Sequence, residues 1–248
     1  MVTQYSLTID PKEPKNMYFC TVRKPISEVG DGSAKLTKGG FGFYRSLDGG
    51  YTWELSNKGI HKEASVRRIK LDPKNSSVIY AALNDHKGGL YKSINKGTSW
   101  NKVKIPSVIK AVNNVFIDRN NNNLYIATGR KNGTYEEGGV WRSKNNGKSW
   151  EQIFKAPFVW QVETSPLDEN LIVVSAAGHY PTKFKNPGIY LSQDGAKSWK
   201  KINKGLGQPN KMVDVKPDPY NKNVLWSAAW GSGWFITYLN GSTDGWLK

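Results

Sequence analysis

Cysteine is almost absent from this sequence. Among its 248 residues Cys20 is the single cysteine, which excludes an internal disulfide framework and any zinc site built from several cysteines. No run of 18 apolar residues occurs, and this excludes a helical membrane span. A helical period of apolar residues is also missing from every long segment, so a largely helical fold is not expected.

Acidic residues are few for a chain of this size. Asp and Glu number 20 against 36 Lys and Arg, which gives a formal net charge of +16. Aromatic residues make up 12% of the chain, with 10 Trp, and this content argues against disorder. The length favours one large domain or two small ones with a sizeable core.

A short motif recurs at intervals of 47 to 50 residues. It reads Ser-x-Asx-x-Gly-x-x-Trp, and we call it the box motif. The four clear copies contain Ser46, Asp48 and Trp53; Ser93, Asn95 and Trp100; Ser143, Asn145 and Trp150; and Ser192, Asp194 and Trp199. A degraded fifth copy lies near Trp246 in an ambiguous register. Repetition at this period is typical of repeat folds such as propellers.

A second pattern has a similar period and reveals a fifth unit. An Asp-Pro dipeptide, or a relative of it, precedes an aromatic or aliphatic residue in five places, which begin at Asp10, Asp72, Asp118, Ser165 and Asp218. Each unit contains four short stretches of strand character joined by segments rich in Gly, Pro, Asn and Asp. The pattern predicts an all-β fold, a β-propeller of about five four-stranded antiparallel blades. We predict a single propeller domain over residues 1–248, with blades at about 4–57, 64–104, 110–155, 158–203 and 210–248.

The box motif resembles the Asp-box, or BNR repeat, of sialidases, xyloglucanase-type glycosidases, sortilin-type receptors and a photosystem II assembly propeller. The segments Gly88–Lys92, Gly138–Arg142 and Asp72–Asn75 fit the same repeat. This resemblance covers nearly the whole chain and implies the propeller fold, whereas it implies little about function. Known members mostly have more than five blades, so five blades is a departure.

The residue types of the box motif suit a turn better than chemistry. An Asp or Asn shortly before a Gly accepts backbone N–H bonds in a hairpin, and the Gly adopts a positive φ. The Trp supplies a large apolar ring whose N–H needs one partner. Asn95 and Asn145 replace Asp in two copies, although an amide does not easily replace a catalytic or metal-binding carboxylate. We therefore predict a structural role for the box residues.

Strand direction divides the loops of each blade between two faces. If strands A to D alternate in direction, the A–B and C–D turns share one face and the B–C and D–A loops share the other. The Asp-Pro turns and the box motifs fall on the first face, so the irregular loops of the second face are the candidates for binding. The candidate ligand-binding residues on that face are Arg23, His61, Arg67, His86, Arg130, Tyr135, His179, Tyr180, Trp230 and Trp234.

A basic face that also carries aromatic residues favours an anionic partner. We predict a non-catalytic binding or scaffold propeller that recognises an acidic glycan or a protein surface through the B–C and D–A loops. The alternative is that the lysines are spread evenly and only keep the protein solvated. No Lys/Arg block or nucleic-acid-binding motif occurs, so a nucleic acid is not the expected partner.

The alternative function is that of a glycoside hydrolase of the sialidase or xyloglucanase type. A glycoside hydrolase needs two carboxylates beside the scissile bond, and the candidates on the loop face are Asp85, Glu136 and Glu137. A sialidase would also use three arginines to hold a substrate carboxylate, and arginines of three blades fall on this face. The three histidines lie in separate loops without metal-site spacing, so neither a metal nor another cofactor is predicted.

Ring closure depends on the first and last blades. The last blade ends in a short degenerate segment, Tyr238–Lys248. An open ring would leave a strand edge that can pair with another chain, so self-association, or a role as a structural subunit of a larger assembly, is the third interpretation. Met1–Tyr5 has neither the basic start nor the apolar stretch of a signal peptide, whereas the family resemblance favours an extracellular or cell-surface location.

Overall fold

Five antiparallel β-sheets follow one another along the chain, and one short turn of 3-10 helix is the only helix in the described part of it. The computed structural model describes residues 2–23, 42–61, 64–85, 88–130, 133–176, 184–231 and 233–248, with backbone alone for 2–5, 22 and 23. The chain forms two compact units. The first comprises Met1–Ile105 and Lys110–Val115, and the second comprises Pro106–Ile109 and Phe116–Lys248.

The first unit contains the first two sheets, and in both of them consecutive strands are neighbours. The strands are β1 (Val2–Ile9), β2 (Met17–Arg23), β3 (Gly42–Ser46) and β4 (Glu54–Leu55), then β5 (Val66–Leu71), β6 (Ile79–Leu83), β7 (Gly89–Ser93) and β8 (Asn101–Lys102). Strands β4 and β8 have two residues each, both exposed. One edge of each sheet is therefore short, which limits pairing at that edge.

The second unit contains β10 to β19, while β9 begins in the first unit and ends in the second. The strands are β9 (Val112–Ile117), β10 (Leu124–Thr128), β11 (Gly139–Ser143), β12 (Glu151–Phe154), β13 (Val159–Thr164), β14 (Ile172–Ala176), β15 (Gly188–Ser192), β16 (Lys200–Lys201), β17 (Met212–Pro217), β18 (Val224–Ala229) and β19 (Gly233–Tyr238). The 3-10 helix, Pro209–Lys211, precedes β17. The prediction of four-stranded antiparallel blades is confirmed for four sheets. The fifth has three strands, and a single bridge between Ile236 and Leu247 extends it.

The first strand of four sheets carries a bulge at an equivalent place. The pairing register shifts between Gln4 and Ser6, Val66 and Arg68, Val159 and Gln161, and Met212 and Asp214. Each shift leaves one extra residue, which is Arg67 in the second sheet. A bulge of this kind increases local twist and redirects a side chain.

Each A–B turn is held by the polar side chain that begins it. One carboxyl oxygen of Asp72 accepts the backbone N–H groups of Lys74 and Asn75, at 2.8 and 3.3 Å. The same arrangement is made by Asp10, Asp118 and Asp218. In the fourth sheet the hydroxyl of Ser165 accepts the N–H of Leu167 at 3.2 Å. A short side chain therefore serves as the acceptor that closes the turn.

The box motif forms the C–D turn. The buried Ser93 hydroxyl donates to Asn95 Oδ1 at 2.8 Å and accepts the N–H of Gly97 at 2.9 Å. Asn95 Oδ1 also accepts the N–H of Ser99 at 3.0 Å. The equivalent hydroxyl bonds are made by Ser46, Ser143 and Ser192. Because the turn uses the acceptor oxygen that Asp and Asn share, either residue suits this position.

Hydrogen bonds in the turn lower the pKa of both box aspartates. The hydroxyl of Ser46, followed by that of Thr52, holds the pKa of Asp48 well below its usual range. The hydroxyl and backbone N–H of Ser198 lower the pKa of Asp194 to about 2. Both groups are therefore carboxylates near neutral pH, which suits a hydrogen-bond acceptor and not a proton donor.

Within each unit, consecutive blades pack face to face through apolar side chains. In the first unit one core cluster joins Tyr18, Cys20 and Phe43 of the first sheet to Ile69, Ile79, Ala81, Tyr91 and Trp100 of the second. The second unit has two such clusters, between the third and fourth sheets and between the fourth and fifth. We call the blade face that packs on the preceding blade the leading face, and the opposite one the trailing face.

Candidate binding site

The B–C and D–A loops meet in the first unit at His61 and Asp85. His61 follows β4 and Asp85 follows β6, and His61 Nε2 lies 3.2 Å from Asp85 Oδ1. Asp85 Oδ2 accepts the backbone N–H of Ser65 at 2.7 Å. The side chains of His61 and Asp85 are only 19% and 11% exposed. This pair joins two loops and leaves little of either side chain for a ligand.

In the second unit, the B–C loop of the third sheet, residues 129–138, packs on the neighbouring D–A loop. A bridge joins Gly129 to Phe158. A Cβ atom at Gly138 would lie 2.1 Å from the carbonyl oxygen of Ala156, so this close approach requires glycine. Both ends of the 129–138 loop are therefore held against the D–A loop.

Arg130 and Glu137 form a two-point ion pair across the 129–138 loop. Arg130 Nε donates to Glu137 Oε1 at 3.0 Å, and its Nη2 donates to Oε2 at 3.1 Å. The Arg130 side chain is 56% exposed and that of Glu137 only 7%. Hydrogen bonding to Glu137 raises the pKa of Arg130 above its usual value. The pair fixes an exposed cation in one orientation and engages both oxygens of Glu137.

Tyr135 presents an aromatic ring from the same loop. Its backbone carbonyl accepts a hydrogen bond from Gln152 Nε2 at 2.9 Å. Its ring meets Phe184 edge-on with the centroids 6.2 Å apart, yet the residue is 46% exposed. A ring held in place before binding loses little further freedom when a ligand arrives.

Glu136 lacks the raised pKa of a general acid. The backbone N–H of Glu136 itself and the Thr134 hydroxyl hold the pKa of Glu136 below its usual value. Glu137 is paired with the guanidinium of Arg130. Glycoside hydrolysis needs one carboxyl group that stays protonated through a raised pKa. Asp85, the third candidate, lies in the first unit and bonds to Ser65. The 129–138 loop therefore offers binding groups in preference to an acid–base pair.

Trp230 and Trp234 flank the B–C turn of the fifth sheet. Trp230 follows β18, is 50% exposed, and donates its backbone N–H to the carbonyl of Lys211 at 2.9 Å. Trp234 lies within β19 because that strand begins at Gly233. It is 70% exposed and belongs to the trailing face of its blade, whereas sequence reasoning assigns it to the loop face.

Two other predicted ligand residues, Arg23 and Arg67, lie in strands of the first unit. Arg67 is half-buried in β5, and Arg23 ends β2 with its side chain outside the described atoms. Three further predictions lie outside the described residues: His86, His179 and Tyr180.

The described ranges of the chain contain neither a metal site, nor a reactive cysteine, nor a membrane-spanning helix. No group of three or more His, Cys, Asp or Glu there could hold a metal ion. Burial raises the pKa of the Cys20 thiol to about 12, which leaves it protonated and inert. In the same ranges no helix has the length and apolar character needed to cross a membrane.

A cavity of about 380 Å³ lies in the second unit, and sequence reasoning misses it. It is lined by Lys200, Lys201 and Lys204 together with Tyr238 and the turn before Trp246. Lys204 forms an ion pair with Asp244 there. Its walls come from the fourth and fifth sheets and include the degraded box motif near Trp246, whose register is ambiguous in the sequence.

The sequence matches a protein-family model over more than half of its length. The family is Sortilin-Vps10, described as sortilin, neurotensin receptor 3, and the match covers residues 42–181. No curated protein matches the sequence at a significant level.

Solved propeller structures resemble the chain along nearly its whole length. The GH74 enzyme of Niastella koreensis aligns with a TM-score of 0.68 and 17% identity, covering 98% of this chain and 46% of that one. The GH74 xyloglucanase from Xanthomonas campestris gives 0.69 and 14%, covering 97% and 38%. YCF48 bound to D1 peptide gives 0.64 and 14%, covering 100% and 68%. The chain spans less than half the length of these GH74 enzymes, and the likeness shows the β-propeller fold alone.

Proposed function

Since the chain belongs to the Sortilin-Vps10 family, we propose that it is a non-catalytic binding or scaffold propeller. Its proposed partner is an acidic glycan, or an acidic protein surface, bound by the B–C and D–A loops. The observation that carries the proposal is the 129–138 loop, which presents both the oriented cation of Arg130 and the half-exposed ring of Tyr135.

These two side chains suit a ligand that has both a flat apolar face and acidic groups. An aromatic ring supplies contact area at a low entropic cost. Glu137 uses one N–H of Arg130 Nε and one of Nη2, and a guanidinium has five N–H donors. The remaining donors can bind a carboxylate or sulfate group. An acidic glycan supplies both kinds of contact.

The charge of the chain supports the same kind of partner. A net charge of +16 attracts anions over a distance that salt shortens. Lys155 is exposed on the D–A loop beside the 129–138 loop. After the hydrogen bonds to Glu136, the charge of Lys155 also lowers the pKa of that residue. A second cation therefore acts on the proposed site.

A glycan array read at low and high salt tests the proposal. We expect acidic glycans to bind and salt to weaken binding. Tyr135→Ala should weaken binding of the hits about fivefold or more. The matched control is Tyr220→Ala, because Tyr220 lies in the same unit on an A–B turn and is 93% exposed. Equal binding by all three proteins would contradict the proposed site. Binding to acidic peptides without binding to any glycan would identify the partner as an acidic protein surface.

Two lysine variants separate a local site from general attraction. Lys155→Gln and Lys148→Gln each remove one exposed positive charge, the first from the D–A loop and the second from a box turn. We expect only Lys155→Gln to weaken binding clearly. An equal effect of both variants would assign the binding to net charge and contradict the site.

Incubation of each hit with the protein tests the alternative of a glycoside hydrolase. Release of any cleavage product would contradict the non-catalytic proposal. Loss of that release in Glu137→Gln or Asp85→Asn would then identify the catalytic carboxylate.

A further inference from the structure

The blade junctions within each unit use equivalent positions. At the first junction the leading face of the second blade packs on the trailing face of the first, and the cluster contains Ile69, Ile79, Tyr91 and Trp100 opposite Tyr18, Cys20 and Phe43. At the junction of the fourth and fifth blades the corresponding residues are Val215, Leu225, Phe235 and Trp246 opposite Val173, Ile189 and Leu191. One apolar interface is therefore used repeatedly along the chain.

An indole hydrogen bond accompanies these junctions. The tryptophan at the end of a box motif donates its N–H to a backbone carbonyl of the preceding blade, and the pairs are Trp100 with Ser56, Trp199 with Ile153, and Trp246 with Ile202. The first two bonds measure 3.0 Å. Trp246 thereby acts as the tryptophan of the fifth box motif, whose register is ambiguous in the sequence.

The leading face of the first blade has the same apolar positions, and no described residue of the first unit covers it. Aligned on the Asp-Pro and box motifs, these positions hold Leu7, Met17, Phe19, Tyr44 and Trp53. Leu7 is 55% exposed and Trp53 37%, whereas their counterparts Ile69 and Trp100 are 1% and 3% exposed. The indole N–H of Trp53 donates to Gly50 in its own turn at 3.0 Å.

The rings on this face are already ordered. Phe19 stacks on Tyr44 with the centroids 4.6 Å apart, and Trp53 lies against Phe19 at 4.7 Å. An ordered apolar surface loses little freedom when it is covered. Exposed apolar patches of this kind mark interaction sites.

The trailing face of the fifth blade is likewise uncovered by any described residue of the second unit. Trp226 aligns with Tyr18 on the Asp-Pro motif, and Trp234 aligns with Phe43 through strand pairing. Tyr18 and Phe43 are fully buried, whereas Trp226 is 41% and Trp234 70% exposed. Two further apolar residues belong to this face. Ala228 pairs with Trp234, and Ile236 pairs with Trp226.

We infer that the leading face of the first blade binds the trailing face of the fifth blade of a second copy of this chain. The contact continues the interface that joins consecutive blades inside each unit, and the chain itself supplies both halves. The five leading-face positions and the four trailing-face positions named above carry no charge, and one cation, Lys216, lies beside Trp226 on the trailing face. Since two different faces meet, the association is heterologous, and each copy can bind one neighbour at each face.

Ionic strength separates this inference from the proposed function. Two copies that each carry a net charge of +16 repel each other, and salt screens that repulsion. Salt should therefore strengthen association between copies, whereas it should weaken the binding of an acidic ligand. The 129–138 loop takes no part in the contact, so either proposal can fail alone.

Sedimentation equilibrium over a concentration series tests the inference. We expect the weight-average mass of the unaltered protein to rise with concentration to at least twice 27.8 kDa, and to rise further with salt. Leu7→Glu and Trp234→Glu should each stay at 27.8 kDa. The controls Ile94→Glu and Tyr220→Glu alter residues that are 68% and 93% exposed elsewhere, and they should associate like the unaltered protein.

Mixing the two face variants gives the sharper result. A Leu7→Glu copy keeps its trailing face, and a Trp234→Glu copy keeps its leading face, so an equimolar mixture should form dimers and nothing larger. Dimer formation would also show that both variants are folded. A mixture that stays monomeric, an unaltered protein that stays monomeric at every concentration, or equal loss in the control variants would overturn the inference.

Discussion

Trp100 and Trp53 stand at the same place in consecutive blades, yet their surroundings differ. Each follows a box turn in which a buried serine hydroxyl makes the same bonds. Trp100 is 3% exposed and bonds to the preceding blade, whereas Trp53 is 37% exposed and bonds within its own turn. The box motif therefore determines the turn, while the burial of its tryptophan depends on the neighbouring blade.

The same contrast extends across the two leading faces. The second blade buries Ile69 where the first exposes Leu7, although both positions are apolar. Leu7 belongs to an exposed patch that also contains the ordered rings of Phe19 and Trp53, and patches of this kind mark interaction sites. Ile69 and Trp100 therefore stabilise the folded chain, whereas Leu7 and Trp53 are available for contact with a partner.

Alanine substitution of the two tryptophans should give the largest difference. Trp100→Ala removes a buried ring and is expected to lower the free energy of unfolding by about 3–5 kcal/mol. Trp53→Ala should lower it by less than about 1 kcal/mol, as at other exposed sites. Urea unfolding followed by circular dichroism in dilute solution measures both. Equal losses would contradict the comparison.

The aliphatic pair should differ in the same direction by a smaller amount. Ile69→Ala leaves a cavity between two blades and is expected to cost about 2–4 kcal/mol. Leu7→Ala should stay within about 0.5 kcal/mol of the unaltered protein. The same urea titration is the measurement, and a cost above about 2 kcal/mol for Leu7→Ala would show that Leu7 is covered in the monomer.

The two box serines should behave alike, because their turns do not depend on the neighbouring blade. Ser93→Ala and Ser46→Ala each remove the acceptor of a backbone N–H, which is buried at Gly97 and partly buried at Gly50. Each is expected to cost about 1–3 kcal/mol. Equal changes in melting temperature would show that the two blades differ in how their faces are covered. A large change for Ser93→Ala alone would show that they differ in their box turns.

Low pH should weaken the box turn that contains Asp48 slightly more than the box turn that contains Asn95. The pKa of Asp48 is lowered in the folded chain by the Ser46 hydroxyl and then by Thr52, while the unfolded value is about 3.9. Its contribution is therefore present above about pH 4 and is lost as pH falls below that value. Asp48→Asn should flatten the fall in melting temperature between about pH 5 and pH 2. Asn95→Asp should steepen it, and no change in either variant would contradict this account.

The repeat architecture could be predicted from sequence because local hydrogen bonds hold its turns. Asp72 and Ser93 each bond to backbone groups within a few residues, so their motifs mark every blade. The bulge at Arg67 and the three-stranded fifth sheet could not be predicted. Both depend on how a strand pairs with a distant neighbour, and no local residue pattern records that pairing.

The sequence predicts which loop carries Arg130 and Tyr135, whereas it does not predict the contacts that these residues make. Arg130 and Tyr135 were assigned to one loop from strand direction, and that loop presents both. The ion pair with Glu137 depends on a loop conformation that Gly138 permits by its approach to the Ala156 carbonyl. Such a contact follows from the folded backbone, so a list of loop carboxylates could not tell a paired one from a catalytic one.

Hydroxyl-radical footprinting read by mass spectrometry tests most directly the central claim that the first blade presents an uncovered blade interface. In dilute solution we expect Trp53 to be oxidised several times faster than Trp100, and the oxidation of Trp53 to slow as the protein concentration rises. Protection of Trp53 equal to that of Trp100 at the lowest concentration would contradict the claim.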